Sequence, residues 1–283
     1  MSSSSITPRR RDGWHWMSMS AVLLGIALVA AVQLYDGGTL PALLHFPAAI
    51  IVFGGTCAAT LVSYSPAAVG RALGSARDAF RGTEENVDEL STYLVTLAIR
   101  AHRGGLLALE GQLPLVRDPF LRNGLTLVVD GASTRMLRDA LRTERLAVEA
   151  REDVAPRVFE TAAGYAPTLG ILGAVLGLMR VMEHLAAPSA LGAGIATAFV
   201  ATVYGVGFAN LVLLPIAARL RERIADRAHR RDLVMETLFD VQRRINPRLV
   251  AHKTSGFATK VPRVDEVARL MTTSSHVTAG VRQ

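Results

Sequence analysis

The sequence predicts an all-α integral membrane protein: four transmembrane helices, a large helical cytoplasmic domain between the second and third, and a cytoplasmic helix after the fourth. Three observations carry this. Half of the residues are apolar while aromatics are few, and the apolar residues stand in blocks rather than spread evenly, as in chains that cross lipid. Four blocks approach the length needed to cross a hydrocarbon core of roughly 30 Å, which takes about 20 residues at about 1.5 Å each. Arginine is concentrated outside these blocks, where the positive-inside rule reads it as cytoplasmic.

In chain order, residues 1–16 form a polar N-terminal segment with Arg9, Arg10 and Arg11, followed by an apolar run from Met17 to Leu34. A basic start before an apolar core also describes a signal peptide. The run is long for one, and a second run from Phe46 to Val62 follows at once, which favours an uncleaved helix and a first transmembrane hairpin over 17–64. Between the runs, Tyr35 to His45 carries Asp36 and no Lys or Arg, so it is expected outside. Residues 65–160 are rich in arginine, among them Arg71, Arg77, Arg81, Arg100 and Arg103, and are expected inside. Two further apolar runs, from Ala166 to Met182 and from Leu191 to Leu214, form a second hairpin over 161–217. A polar link through Glu183, His184 and Pro188 joins them, and both chain termini then lie inside.

Within the inner domain, Thr83, Glu84 and Glu85 make a helix start, and Val87, Leu90, Leu94 and Leu97 repeat at three and four residues to give one apolar face. Gly104 and Gly105 stop that helix. A second amphipathic helix is expected from Ser133 to Ala150, with Met136, Leu137, Ala140, Leu141, Ala147 and Val148 inward and Arg135, Arg138, Arg142 and Arg145 outward. Those arginines suit lipid headgroups or an acidic protein surface equally. Beyond Pro215 a cytoplasmic extension over 218–250 carries a stripe of Val234, Leu238, Val241 and Ile245, ended by Asn246 and Pro247. The tail, 251–283, is polar, with room for one short helix near Val264 to Met271.

The second hairpin is the most informative stretch. Small residues fall at helical spacing in both arms: Gly170, Gly173, Ala174 and Gly177 in the first, Ala198, Thr202, Gly205 and Ala209 in the second. Lipid gives no hydrophobic drive for helices to associate, so small residues that let backbones approach mark sides that face protein. Packing within one bundle explains the glycines alone. It does not explain Pro167 near the start of one arm and Pro215 near the end of the other, at the same membrane face, where each loosens its helix. That pair suggests a ring of hinges.

At these residues the sequence resembles a family. Ala166, Pro167 and Gly170 open the first arm, Gly173 and Gly177 follow, Pro188 and Ser189 make the link, and Thr202, Tyr204, Gly205, Asn210 and Pro215 mark the second arm. This series, in this order, resembles the transmembrane hairpin of the bacterial flagellar stator A subunits of the MotA and PomA type, within the wider group of ion-driven membrane motors that includes ExbB and TolQ. The run from Phe53 to Ser63 resembles the second span of PomA-like subunits. The stretch from Gly104 to Leu113 resembles a family segment whose charges work on the rotor; Glu110 falls on its acidic position. The basic partner falls on His102, where relatives usually have Arg, and an imidazole is mostly neutral at pH 7 whereas a guanidinium is always charged. Arg100 or Arg103 can substitute.

The resemblance implies a homopentamer in the bacterial inner membrane around a single-span stator B subunit, which carries a transmembrane Asp and a peptidoglycan-binding domain. It further implies a switch-ring protein of the flagellar rotor as partner. Ions crossing the membrane would load and unload the partner's Asp and let the ring of A subunits step. In that scheme Pro167, Ala174, Thr202, Tyr204 and Pro215 belong to the ion pathway and its gating, and Gly170, Gly173, Gly177 and Gly205 to helix packing. Thr202 would help solvate the ion, although a Thr hydroxyl bonded back to its own helix is common. Sodium-type relatives carry Thr at the position of Ala174; hard cations want several oxygen ligands whereas a proton needs one base, so protons are expected rather than Na+. Arg180, at the outer end of its span, is expected to snorkel to the headgroups.

Other classes fit less well. None of the four apolar runs holds an Asp or Glu in its interior, so any ion flux needs a carboxylate from a partner. No phosphate-binding loop and no grouping of nucleophile, base and orienter can be found, so an enzyme is not expected, nor is any cofactor. One cysteine, Cys57, and seven scattered histidines offer no metal cluster. The positive charge is arginine flanking membrane segments without an aromatic platform, which argues against nucleic acid. An ExbB- or TolQ-like energiser of outer-membrane transport or envelope integrity is the alternative motor, and it has one span before its inner loop rather than two. A membrane scaffold without ion flux is the remaining alternative.

Overall fold

The computed structural model describes residues 44–81, 87–183 and 188–256, together with positions 24, 27, 31 and 35; the side chains of 188–190 and 193 are outside the description. Among these residues the chain is helical throughout, without a strand. The expected N-terminal segment, most of the first span, the helix start at Thr83, His184 and the tail from 257 lie outside the described residues. Three helical stretches are long and apolar enough to cross a membrane: Phe46–Ser63, one within Thr134–Glu183 and one within Gly194–Gln242.

The chain divides into two compact units. One comprises Met1–Thr83 and Glu152–Arg223, the other Glu84–Arg151 and Ile224–Gln283. These boundaries differ from the segments drawn from the sequence, because residues on both sides of the expected inner domain pack with the spans instead. In the first unit, α1 (Phe46–Ser63) is followed by α2 (Pro66–Arg81), a helix the sequence reading left unassigned inside the arginine-rich block. Its alanine ridge, Ala72, Ala76 and Ala79, packs with Val158, Phe159, Ala162 and Ala163 of α6 (Val154–Glu183) and with Leu213, Ala217 and Leu220. Its buried alanines recur at a spacing of three and four with Arg71, Arg77 and Asp78 on the exposed side, an amphipathic pattern that the sequence reading passed over. Helix α7 (Pro188–Phe208) completes the hairpin, and a five-residue π turn, Ala209–Leu213, leads into α8 (Leu214–Gln242). A second π turn, Ile50–Gly54, interrupts α1.

In the second unit, α3 (Val87–Gly104) ends at Gly104 as expected; Gly105 takes φ 79°, a left-handed conformation that favours glycine. A 3₁₀ segment (Leu106–Leu115), α4 (Pro119–Val129), α5 (Thr134–Glu152), the C-terminal part of α8 and α9 (Pro247–Thr254) follow. Asp118 caps α4 through the Leu121 N–H at 3.0 Å. One core, built on Leu94, Leu97, Leu109, Leu125, Leu137 and Leu238, holds these pieces together.

Two sequence expectations need correction here. In α5 only Leu137 and Leu141 are fully buried; Met136, Ala140 and Ala147 are exposed, because among the described residues this helix presents one narrow stripe to the core. Asn246 and Pro247 follow the end of α8 at Gln242 but also start α9: the Asn246 side chain accepts from the Arg248 N–H at 3.0 Å, and Pro247 sits in the first turn, where its missing donor costs nothing.

Candidate ion-pathway hairpin and charged segment

The two arms of the hairpin approach as closely as backbones can. A Cβ added at Gly205 would stand 2.5 Å from Ala166 O, at Gly170 2.9 Å from Ala201 O, and at Gly177 2.7 Å from Gly194 O. At Gly173 it would meet the Ala201 Cβ at 2.7 Å. All four glycines thus look into the α6–α7 seam, and the outward faces of both arms carry large apolar residues instead. On α6 these are Ile171, Leu172, Val175 and Met179; on α7, Phe199 and Val203. The sequence reading assigned these glycines to helix packing, and in the structure the close approach they allow lies between the two arms of the same chain. Gly194, which that reading did not single out, belongs to the same seam, with Val181 at 2.6 Å from a would-be Cβ. Its spacing of four from Ala198 was the available signal.

Helix α1 crosses this hairpin. Gly55 admits Leu169, whose Cδ1 would lie 3.1 Å from an added Cβ. Towards the end of α1 two hydroxyl pairs tie it to α6: Ser63 Oγ to Tyr165 Oη at 2.8 Å and Tyr64 Oη to Thr161 Oγ1 at 3.0 Å. At the other end Tyr204 Oη accepts the His45 N–H at 3.3 Å, while its ring stacks on Phe53 at 5.5 Å.

Pro167 is half-buried, and α6 continues through it, two residues past the Ser63–Tyr165 pair. Pro215 is exposed and stands two residues beyond the end of the π turn at Leu213. Proline cannot donate to the helix ladder, and π turns frequently mark functional positions, so this stretch of α7–α8 has a loosened backbone from two causes. Asn210 offsets part of the loss by donating its side-chain amide to Val206 O at 2.9 Å. Thr56 does the same beside the other π turn, donating to Val52 O at 2.6 Å. Thr202 is half-buried, and its hydroxyl donates to Ala198 O at 3.2 Å, the ordinary bond back to its own helix. Ala174 is half-buried one turn beyond Gly170, and Arg180 is exposed near the end of α6.

Below the hairpin an ion cluster joins α6 to α8. Arg221 donates to Glu160 Oε2 at 2.7 Å and reaches Asp153 at 3.3 Å, and Asp153 also pairs with Arg157 at 2.6 Å. The hydrogen bond from Arg221 holds the Glu160 carboxyl below the usual carboxylate range.

The charged residues expected at the rotor lie in the second unit. Glu110 is exposed on the 3₁₀ segment rather than on an α-helix; His102 and Arg103 are exposed on the last turn of α3, and Arg100 is half-buried one turn earlier. Leu109, fully buried beside Glu110, anchors the segment in the core. Leu107 and Leu115 on the same segment are exposed, a feature no charge pattern could have shown.

A hairpin of closely packed small-residue helices with an apolar span packed against it defines a class of polytopic α-helical membrane protein. Residues 113–233 match the model of the MotA/TolQ/ExbB proton channel family. An uncharacterized protein of Bacillus subtilis, YtxD, is 35% identical over 210 residues, covering 74% of this chain and 77% of that one. Motility protein A of the same organism is 30% identical over 237 residues, covering 83% and 88%. The flagellar MotAB stator complex of Bacillus subtilis contains a similar chain, with a TM-score of 0.77 at 30% identity over 84% of this chain and 94% of that one. The chain belongs to the MotA/TolQ/ExbB proton channel family, among its motility protein A members.

Proposed function

We propose that the chain is the A-type subunit of a flagellar stator, coupling ion flow across the bacterial inner membrane to torque on the rotor and so driving motility. The observation that carries this is the likeness to a MotAB stator chain over 94% of that chain's length, together with the two-unit build: one unit of apolar spans, one unit exposing Glu110. An ExbB- or TolQ-like energiser is not favoured, since the full-length relatives are motility proteins.

The finer reading extends this. Four spans, with both termini and the unit containing Glu110 inside the cell, make up the topology. Five copies surround a single-span B-type partner, which supplies the membrane Asp that the apolar runs of this chain lack. The outward apolar residues of the hairpin, Phe199 and Val203 among them, face that partner or the neighbouring copies. Protons drive the motor: Ala174 offers no oxygen where a cation would want one. One charge crossing ~100 mV releases ~2.3 kcal/mol, enough to bias a step about the loosened backbone at Pro167 and Pro215. Glu110, with Arg103, His102 or Arg100, contacts the switch-ring protein.

Purification of the tagged chain from membranes tests this reading. It should bring down one single-span protein with an Asp in its span, and the intact mass should fit five copies of this chain with two of the partner. A chain that elutes alone, or with a partner lacking any membrane carboxylate, overturns it.

A further inference from the structure

Among the described residues Arg244 is the only non-glycine with a positive φ, 53°, in the left-handed region that L side chains seldom enter. It occupies the turn that ends α8. The Ile245 N–H donates to Asp240 O at 3.0 Å and the Arg244 N–H to Val241 O at 2.9 Å, the paired bonds of a helix C-terminus whose left-handed position is usually taken by glycine. An arginine there carries a conformational cost that glycine avoids, and the turn's own hydrogen bonds are made by backbone alone, so the side chain calls for a use elsewhere. It is exposed and forms no ion pair among the described residues, in contrast to Arg145, Arg157 and Arg221, each of which meets a carboxylate.

The turn is held in place from outside. Asp240 is 4% exposed, and its two carboxylate oxygens accept from Lys253 Nζ of α9 at 2.9 and 2.8 Å. Helix α9 in turn packs against α3. The guanidinium is thereby brought to another left-handed turn, the link that follows α3: Arg244 Nη2 lies 3.4 Å from where a Cβ on Gly105 would stand. Before that link His102 and Arg103 are exposed on the last turn of α3; after it the Leu106–Leu115 segment begins, with Leu107 and Glu110 exposed. Five residues of 3₁₀ segment at about 2 Å of rise each put Glu110 about 10 Å beyond the link. A cation delivered from the far end of the chain therefore stands beside the segment that carries the candidate rotor carboxylate.

We infer that Arg244 is the fixed cation with which this unit holds the rotor, its guanidinium taking a carboxylate of the switch-ring protein in a two-pronged contact; this deepens the stator reading and rests on it. A guanidinium keeps its charge at every physiological pH, and its planar fork matches both oxygens of a carboxylate. Anchorage through Asp240, Lys253 and α3 holds the turn before the partner arrives, so less freedom is lost on contact. A lipid phosphate would suit the same fork. Leu107 and Glu110 beside it match a protein surface of mixed character instead, since an anionic bilayer repels the carboxylate.

The test is rotation of single tethered motors in a strain lacking its stators that makes the full chain with its single-span partner. Arg244→Gly removes the guanidinium and gives the turn the residue it prefers, so membrane level and the melting temperature of the solubilised protein should hold or rise. The time each unit stays on the motor, read from the steps in speed, should nevertheless fall about tenfold or more, the loss expected for one charged hydrogen-bonded pair. An unchanged dwell time overturns the inference. So does a shortened one accompanied by a lower membrane level or melting temperature, because the side chain would then be holding the fold. Arg244→Glu should abolish rotation, and exchange of one carboxylate of the switch-ring protein for Lys should restore it; if no such exchange does, the anion is not the rotor's and the inference falls, with a lipid phosphate left as the ligand. Failure of the unsubstituted chain to rotate the motor overturns the stator reading itself and is seen separately.

Discussion

Single atoms decide the behaviour of the hairpin seam. At Gly205 an added side chain meets a backbone oxygen at 2.5 Å, which cannot rotate away as a side chain would. Gly205→Val should therefore separate α6 from α7 at a cost of about 1–3 kcal/mol or more, read as reduced membrane level and a lower melting temperature of the solubilised protein. Gly207 faces open space, and Gly207→Ala should leave both unchanged. The Glu160–Arg221 pair is a second residue-scale device. Its side chains are 36% and 49% exposed, so solvent screening limits it to at most about 1 kcal/mol. Because the folded-state carboxyl titrates below its ordinary value, this contribution is present in full above about pH 4.3 and is lost as pH falls through the lowered value. Thermal melts of Glu160→Gln should accordingly show a smaller loss of stability than the unsubstituted protein on acidification below that point.

At the scale of elements, the two π turns are the feature that periodicity could not show. Each places one extra residue in a helix and turns the following part by about 100°. The turn at Ala209–Leu213 thereby fixes which face of α8 meets Ala162 and Phe159. Deleting Leu211 should convert it to ordinary α-helix, rotate α8 against α6 and break the Arg221–Glu160 contact; protease sensitivity of the membrane-bound chain should rise, and rotation of the motor should be lost. What the sequence made legible was long apolar runs, the stop at Gly104 and the stripe of Leu94 and Leu97, because burial of large side chains writes a period into the chain. What was overlooked was α2, an amphipathic helix whose buried residues are alanines among arginines; what the pattern overstated was the inner face of α5, where Met136 and Ala140 continue it without being buried. Pattern shows which residues can be buried; the neighbours decide which are.

For the whole molecule, division of labour between the two units is the central point. The membrane unit is rigid where glycines bring backbones together and loosened where Pro167, Pro215 and the π turn interrupt the ladder; the other unit holds Glu110 on a short segment anchored by Leu109. The candidate site was readable in part: the seam glycines follow from spacing alone, whereas the role of Glu110 came from resemblance, since an exposed carboxylate on a surface segment has no signature of its own. Rotation of single tethered cells tests the central claim most directly. In a strain lacking its stators, induction of this chain with its partner should raise speed in discrete steps as units join, a protonophore should abolish rotation, removal of sodium should not, and Glu110→Lys should reach the membrane yet restore little or no torque. Absence of rotation with the intact chain in the membrane beside its partner, or rotation that persists after the proton gradient is collapsed, would contradict it.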